Sequence, residues 1–160
     1  LESVLGRICQ ALNLDKERML SNAFMLSADN AHAIHPNHPE YADSQNAPVL
    51  GGGVVLKFNA NQRYTTDGVS AAIFRKVCRK AEVPVQTYYN RADLPGGSTL
   101  GNISLSHVSV PTADIGLPQL AMHASYETMA ASDVTALMAA MTGYYGSTLT
   151  CQRDGSYILA

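Results

Sequence analysis

Short apolar runs that alternate with helical stripes constrain this chain more than any other feature. Ala23-Phe24-Met25-Leu26-Ser27-Ala28-Asp29 is continuously apolar until its last residues, as strands covered on both faces are. Val54-Val55-Leu56-Lys57-Phe58-Asn59 reads as a second strand, broken only by Lys57, and Val83 to Tyr89 as a third. Between and around them run helical patterns. Leu1, Val4, Leu5, Ile8 and Leu12 recur at helical spacing over 2–13. Asp67 or Thr66 caps a helix reaching about Ala81, with Val69, Ala72, Ile73 and Val77 as its inner stripe. A last helix covers roughly 131–142, with Ser132 or an earlier Ser as cap and Ala130, Val134, Leu137, Met138 and Met141 as its stripe. Strands alternating with helices predict a layered α/β sandwich with a mostly parallel sheet.

The connections are equally legible. Pro36, Pro39 and Pro48 break any helix over 30–52, and Gly51-Gly52-Gly53 permits a tight turn. Asp93 to Thr99 is a loop that opens a short helix. Pro111 to Ile115 and Pro118 to His123 give short strands joined through Gly116. Residues 1–145 form the predicted domain. Residues 146–160 have no helical period and stay unassigned.

Composition excludes several classes of function. The net charge is −2 and the pI near 6.2, so nothing favours nucleic acid or an anionic membrane as partner. No apolar run is long enough to span a bilayer. Arg75, Lys76, Arg79 and Lys80 read as a solvated helix end, since no aromatic interleaving accompanies them. Cys9, Cys78 and Cys151 are an odd, widely spaced set with no C-x-x-C pair, which points to free thiols in a reducing, cytoplasmic compartment. Charged residues make up only 15%, so part of the surface is expected to be covered by another segment or chain. Leu1 opens the sequence where Met would start a gene product, which predicts chain upstream.

Several residues have the chemistry of a site. Asp29, His32, His35 and His38 put carboxylate and imidazole donors within ten positions, as zinc requires, although a His-rich surface loop has the same pattern. Asp29 ends an apolar strand, where α/β sheets place ligands and where a buried carboxylate needs a cation, an Arg or a helix N-terminus. His123 ends Gln119-Leu120-Ala121-Met122-His123, in which strand alternation sends it to the face opposite Leu120 and Met122. Lys57 either faces a cleft or lies on an edge strand. The Tyr64 hydroxyl could bond a developing oxyanion, or the ring could simply pack. Gly96-Gly97-Ser98-Thr99 has the small residues of a phosphate cradle but no Walker lysine, so a nucleotide site is the weakest reading.

Four segments, in order, resemble the M18 aminopeptidases, also called aspartyl aminopeptidases. Residues Ser27 to Asn37 are similar to S-x-D-x-A-H-A-x-H-P-N, and Lys57 to Tyr64 to K-x-N-x-x-Q-R-Y. Asp93 to Gly101 resembles D-x-P-x-G-S-T-x-G, and Asp114 to His123 resembles D-x-G-x-P-x-L-x-M-H. The resemblance implies a zinc-exopeptidase fold and a homo-oligomer. It implies Asp29 and His123 as zinc ligands in a site of two zincs, and His32, Lys57 and Ser98 as substrate-binding residues. Tyr64 is implied to steady the tetrahedral intermediate of an N-terminal Asp or Glu peptide. Two departures matter. The family's H-x-D, bridging Asp and Glu-Glu pair are absent, so the isolated chain is expected to be inactive. The segment 39–53 carries Asp43-Ser44-Gln45-Asn46-Ala47 where the family usually has a charged, His-bearing stretch. A degenerate module with an assembly or binding role is the alternative.

Overall fold

In the computed structural model, which describes residues 1–160, the elements run as follows: α1 (Glu2–Leu12), α2 (Lys16–Leu20), β1 (Met25–Ala28), β2 (Ala31–His32), a 3-10 turn (Pro39–Tyr41), β3 (Val54–Phe58), α3 (Gly68–Lys80), β4 (Val85–Tyr89), α4 (Leu100–Leu105), β5 (Thr112–Gly116), β6 (Pro118–Leu120), β7 (Thr128–Met129), α5 (Ala131–Tyr145), β8 (Leu149–Cys151) and β9 (Tyr157–Leu159). The main sheet has the order β1-β5-β3-β4. β1 and β5 are parallel, β3 and β4 are parallel, and only β5 and β3 meet antiparallel. This is the layered α/β arrangement with a mostly parallel sheet.

The sheet has two chemically different faces. Alternation along β3 sends Val54 and Leu56 to one side, where they pack with Phe74 and Cys78 of α3, Ile115 of β5 and Ala140 of α5 in a fully apolar core. Val55 and Lys57 point to the other side, where Ala31, Tyr64 and Tyr88 cluster. α3 and α5 cover the first face, and α4 with the crossing chain segments that carry the candidate site lies over the second.

Asp67 caps α3 with a reciprocal box, its carboxylate accepting from Ser70 N at 2.7 Å while Ser70 Oγ accepts from Asp67 N at 2.9 Å. The buried stripe of α3 is shifted from the expected one. Ala71, Ile73, Phe74, Val77 and Cys78 face inward, whereas Val69 and Ala72 are exposed. α5 differs in the same way. Ala136, Leu137, Ala140 and Met141 pack inward, while Val134 and Met138 look out. The reason is close approach: Gly143 and the small alanines let α5 lie against Val77 and Ala81 of α3. No Ser caps α5. Its N-cap is Ala130, and Asp133 in the first turn accepts from the Gly51 and Gly53 amides at 2.8 and 2.9 Å. That buried carboxylate ties the glycine turn to the positive end of the helix.

Of the stripe on α1 only Leu5 is covered, against Leu20, Val108 and Val110. Leu1, Val4, Ile8 and Leu12 are exposed and only Cys9 is buried. All three cysteines are free, and burial pushes the Cys78 thiol up to about 12. Residues 146–160, which showed no helical period, form the β8–β9 hairpin against α3.

Above the sheet, β1→β2 and β5→β6 travel as a pair. The parallel register from Met25↔Thr112 to Ala28↔Ile115 resumes as Ala31↔Pro118 and His32↔Gln119 in a second sheet of order β2-β6-β7. Asp29 N→Ile115 O at 3.0 Å and Ala31 N→Leu117 O at 2.9 Å carry the ladder across the break. The two strands meet so closely at Gly116 that an added Cβ would stand 1.9 Å from the Asp29 carbonyl oxygen. Gly116→Ala is therefore expected to lower stability by about 3 kcal/mol or more, beyond the range of ordinary point changes. Urea denaturation checks this, and an unchanged midpoint would contradict the packing described.

Candidate active site

Asp29 leaves β1 at its carboxyl end with an exposed carboxylate, whose Oδ1 accepts from the Asn30 amide at 2.9 Å. Beneath it lies Lys57, 1% exposed. β3 is an interior strand, so the edge explanation for Lys57 does not hold. Its Nζ donates to the carbonyl oxygens of Asp29 at 2.9 Å and Asn30 at 3.3 Å, and stands 5.0 Å from the centre of the Tyr64 ring. Burial lowers its pKa, and the negative charges of Asp29 and Asp114 oppose that shift. Lys57 thus braces the turn that presents Asp29.

Tyr64 is buried beside Tyr88, their ring centroids 6.2 Å apart. Burial raises its pKa most, followed by Tyr88 and the charges of Asp114 and Asp29, so the hydroxyl stays protonated. Asp114 holds the loop that carries Tyr64. This carboxylate is 0% exposed and accepts from Thr65 N at 2.6 Å, Thr65 Oγ1 at 2.8 Å and Thr99 Oγ1 at 2.8 Å. Its own amide donates to Thr66 Oγ1 at 2.8 Å. Gly101 packs over it, where a Cβ would meet both carboxylate oxygens within 2.8 Å. Sequence reasoning quoted Asp114 within a motif but gave it no task. The signal was available: a carboxylate inside the apolar run Ala113-Asp114-Ile115, the same anomaly as Lys57.

His123 is set by a turn, not by strand alternation. β6 ends at Leu120, and Ala121 and His123 take left-handed torsions, with φ 54° and 67°. These torsions are costly for residues with a Cβ and concentrate at functional sites. The His123 amide donates to Glu127 Oε1 at 2.7 Å, which fixes the turn. His32 is the second residue of β2. Crowding of its ring lowers its pKa, and the nearness of His123 and then of Lys57 lowers it further. The Lys57 ammonium thus bonds the Asp29 carbonyl, and the His32 ring feels the charges of His123 and Lys57.

The His-rich segment divides. His35 and His38 stack at 5.6 Å, with His38 Nδ1 3.0 Å from Glu40. They line a cleft of about 280 Å³ together with His32, Tyr88, Arg91 and Gln119. Of the expected site residues only His32 lines this cleft; Asp29, Lys57, Tyr64 and His123 do not. Leu94 and Pro95 of the 93–99 loop reach the cleft, whereas Ser98 is exposed outside it and donates to Asn102 Oδ1 at 3.0 Å. No three His, Cys, Asp or Glu side chains come close enough together to hold a metal ion.

This fold is that of the zinc exopeptidases, and the comparisons narrow it. Residues 1–145 match the family described as aminopeptidase I zinc metalloprotease (M18). The chain belongs to the M18 family. It is 46% identical over 136 residues to the "Probable M18 family aminopeptidase 2" of Clostridium novyi (strain NT), covering 83% of this chain and 31% of that relative. The protein of the same name from Mycobacterium bovis (strain BCG / Pasteur 1173P2) is 43% identical over 153 residues, covering 94% of this chain and 35% of the relative. In the cryo-EM structure of the Ape4 and Nbr1 complex, a chain 36% identical superposes with a TM-score of 0.85, over 89% of this chain and 28% of that one. The dodecamer of S. cerevesiae mApe1 gives 27% identity and a TM-score of 0.74, over 82% and 28%. The chain thus spans about a third of the length of the curated relatives it matches.

Asp114→Asn would turn one carboxylate oxygen into a donor facing hydroxyls and an amide that already donate. A loss of about 3 kcal/mol is expected, with about 1 kcal/mol each for Thr65→Val and Thr99→Val. Chemical denaturation of the three variants checks both the size and the order.

Proposed function

We propose that the complete polypeptide is a metal-dependent aminopeptidase that releases N-terminal residues, acidic Asp and Glu foremost, and that this segment supplies part of a two-zinc site. What supports the reading is the placing of two donors on the paired strand crossings: Asp29 carries an exposed carboxylate just after β1, and His123 an exposed imidazole in the turn after β6. Both are zinc-type donors, and both stand at chain turns beyond strand ends. They fit the metal in kind but not in number. Each zinc wants about four donors, so the rest come from parts of the polypeptide outside these residues. Bound there, zinc supplies Lewis acidity toward a scissile carbonyl and lowers the pKa of water.

The residues of this chain have distinct tasks in that reading. Asp29 and His123 hold metal. The Tyr64 hydroxyl, kept protonated by its surroundings, donates a hydrogen bond to the oxyanion that develops at the scissile carbonyl. Lys57 fixes the Asp29 turn and adds a positive charge to the neighbourhood that receives an acidic side chain. His32 contacts the substrate from the cleft, whereas Ser98, outside the cleft, would reach substrate only beyond it. The Glu-Glu pair that the family resemblance implies as base and ligand does not occur in this chain. A homo-oligomer is proposed by likeness to the mApe1 dodecamer, and the free thiols suit a reducing cytoplasm. No helix is long and apolar enough to cross a membrane.

In the complete polypeptide, His123→Ala is expected to reduce bound zinc, measured by elemental analysis, and to cut release of Asp from a peptide more than about 100-fold, the loss that outer-shell partners alone can cause. Tyr64→Phe should lower kcat by about 100-fold or more with little change in KM. The 160-residue chain by itself should not turn over peptide. Full zinc and activity in His123→Ala would show that His123 is not a ligand, whereas a parent polypeptide that binds no zinc and releases no residue would favour a non-catalytic module.

A further inference from the structure

Gln119 lies on β6 directly across from His32 of β2, in parallel register, so both side chains lean to one face of the small sheet. It is 2% exposed yet contributes to the wall of the cleft that His32 also lines. One end of its amide is spoken for. Asn30 Nδ2 donates to Gln119 Oε1 at 2.7 Å, and the Asn30 carbonyl is itself held by Lys57. The other end, Nε2, is buried and has no acceptor anywhere in the chain. Turning the Gln119 amide alone would set its N–H₂ group against that of Asn30.

An orphaned buried donor is a destabilising feature, and in native proteins it marks a place where a partner is missing. Packing does not explain it, because Met or Leu would fill the same volume without the penalty. The bond to Asn30 does not explain it either, because a carboxylate would accept that hydrogen bond equally well. What only an amide supplies is an acceptor turned toward Asn30 and a neutral donor at the opposite end, beside His32. We infer that Gln119 is a substrate-contacting residue of the cleft, its side-chain amide donating a hydrogen bond to a carbonyl or carboxylate oxygen of the bound peptide. The peptide as ligand rests on the aminopeptidase reading. The need for an oxygen acceptor rests on the amide alone.

The test uses the complete, metal-loaded polypeptide and a short Asp-first peptide N-methylated at its first amide, which keeps every oxygen and resists cleavage. Affinity is measured by calorimetry for the parent protein, Gln119→Glu and Gln119→Met. The Glu variant keeps the bond from Asn30 and replaces the donor by an acceptor. The Met variant removes both ends, and melting curves show whether either variant has lost its fold. Affinity is expected to fall about tenfold in Gln119→Met, the worth of one hydrogen bond, and further in Gln119→Glu. Unchanged affinity in a folded Glu variant overturns the inference, since Nε2 would then be met by resident water alone. Release of Asp from the unmethylated peptide is scored separately. Binding that depends on Gln119 without any cleavage would reject the aminopeptidase reading and leave this inference standing. Cleavage that is indifferent to Gln119 would do the reverse.

Discussion

A buried ammonium group beneath the strand crossing is the interaction on which the rest depends. Two parallel strands leave the main sheet together and enter a second one, and at the break the backbone carbonyls of Asp29 and Asn30 turn inward. Lys57 meets both. Without a donor there, two carbonyls would face an apolar layer, at a cost comparable with lost hydrogen bonds. Gly116 makes the same crossing sterically feasible from the neighbouring strand. The site is a product of that break. A sheet that continued without interruption would have buried Asp29 in its ladder and carried His32 and Gln119 elsewhere.

The layered fold could be read from the residues because it depends on local periodicity. The apolar runs over 23–29 and 54–59 became strands, and the Asp67 cap began its helix at the expected residue. Helix faces were read less well. Counting apolar residues selects the largest ones, Val134 and Met138 among them, but close helix packing selects small ones, and Ala140 took the inner position. Hairpins at chain ends have no helical period to reveal them, so β8 and β9 went unassigned.

The site was legible as a set of anomalies more than as geometry. Lys57 and Asp29 stood out as charges in or at the end of apolar runs, and both lie at the crossing. His123 stood out only through its motif. The alternation argument for its direction failed because two left-handed residues end the strand before it. Asp114 and Gln119 have the same kind of anomaly as Lys57, buried polar groups, but their partners are 15 to 89 positions away and no local rule pairs them.

Asp114 has one further consequence. The loop that leads to Tyr64 and the loop that ends in Thr99 are moored to the same carboxylate, so they have a common anchor rather than separate hinges. Neither can swing outward without pulling on the other. Any opening that admits a ligand from this side must therefore come from whatever rests on these loops, while the loops themselves serve as fixed masonry.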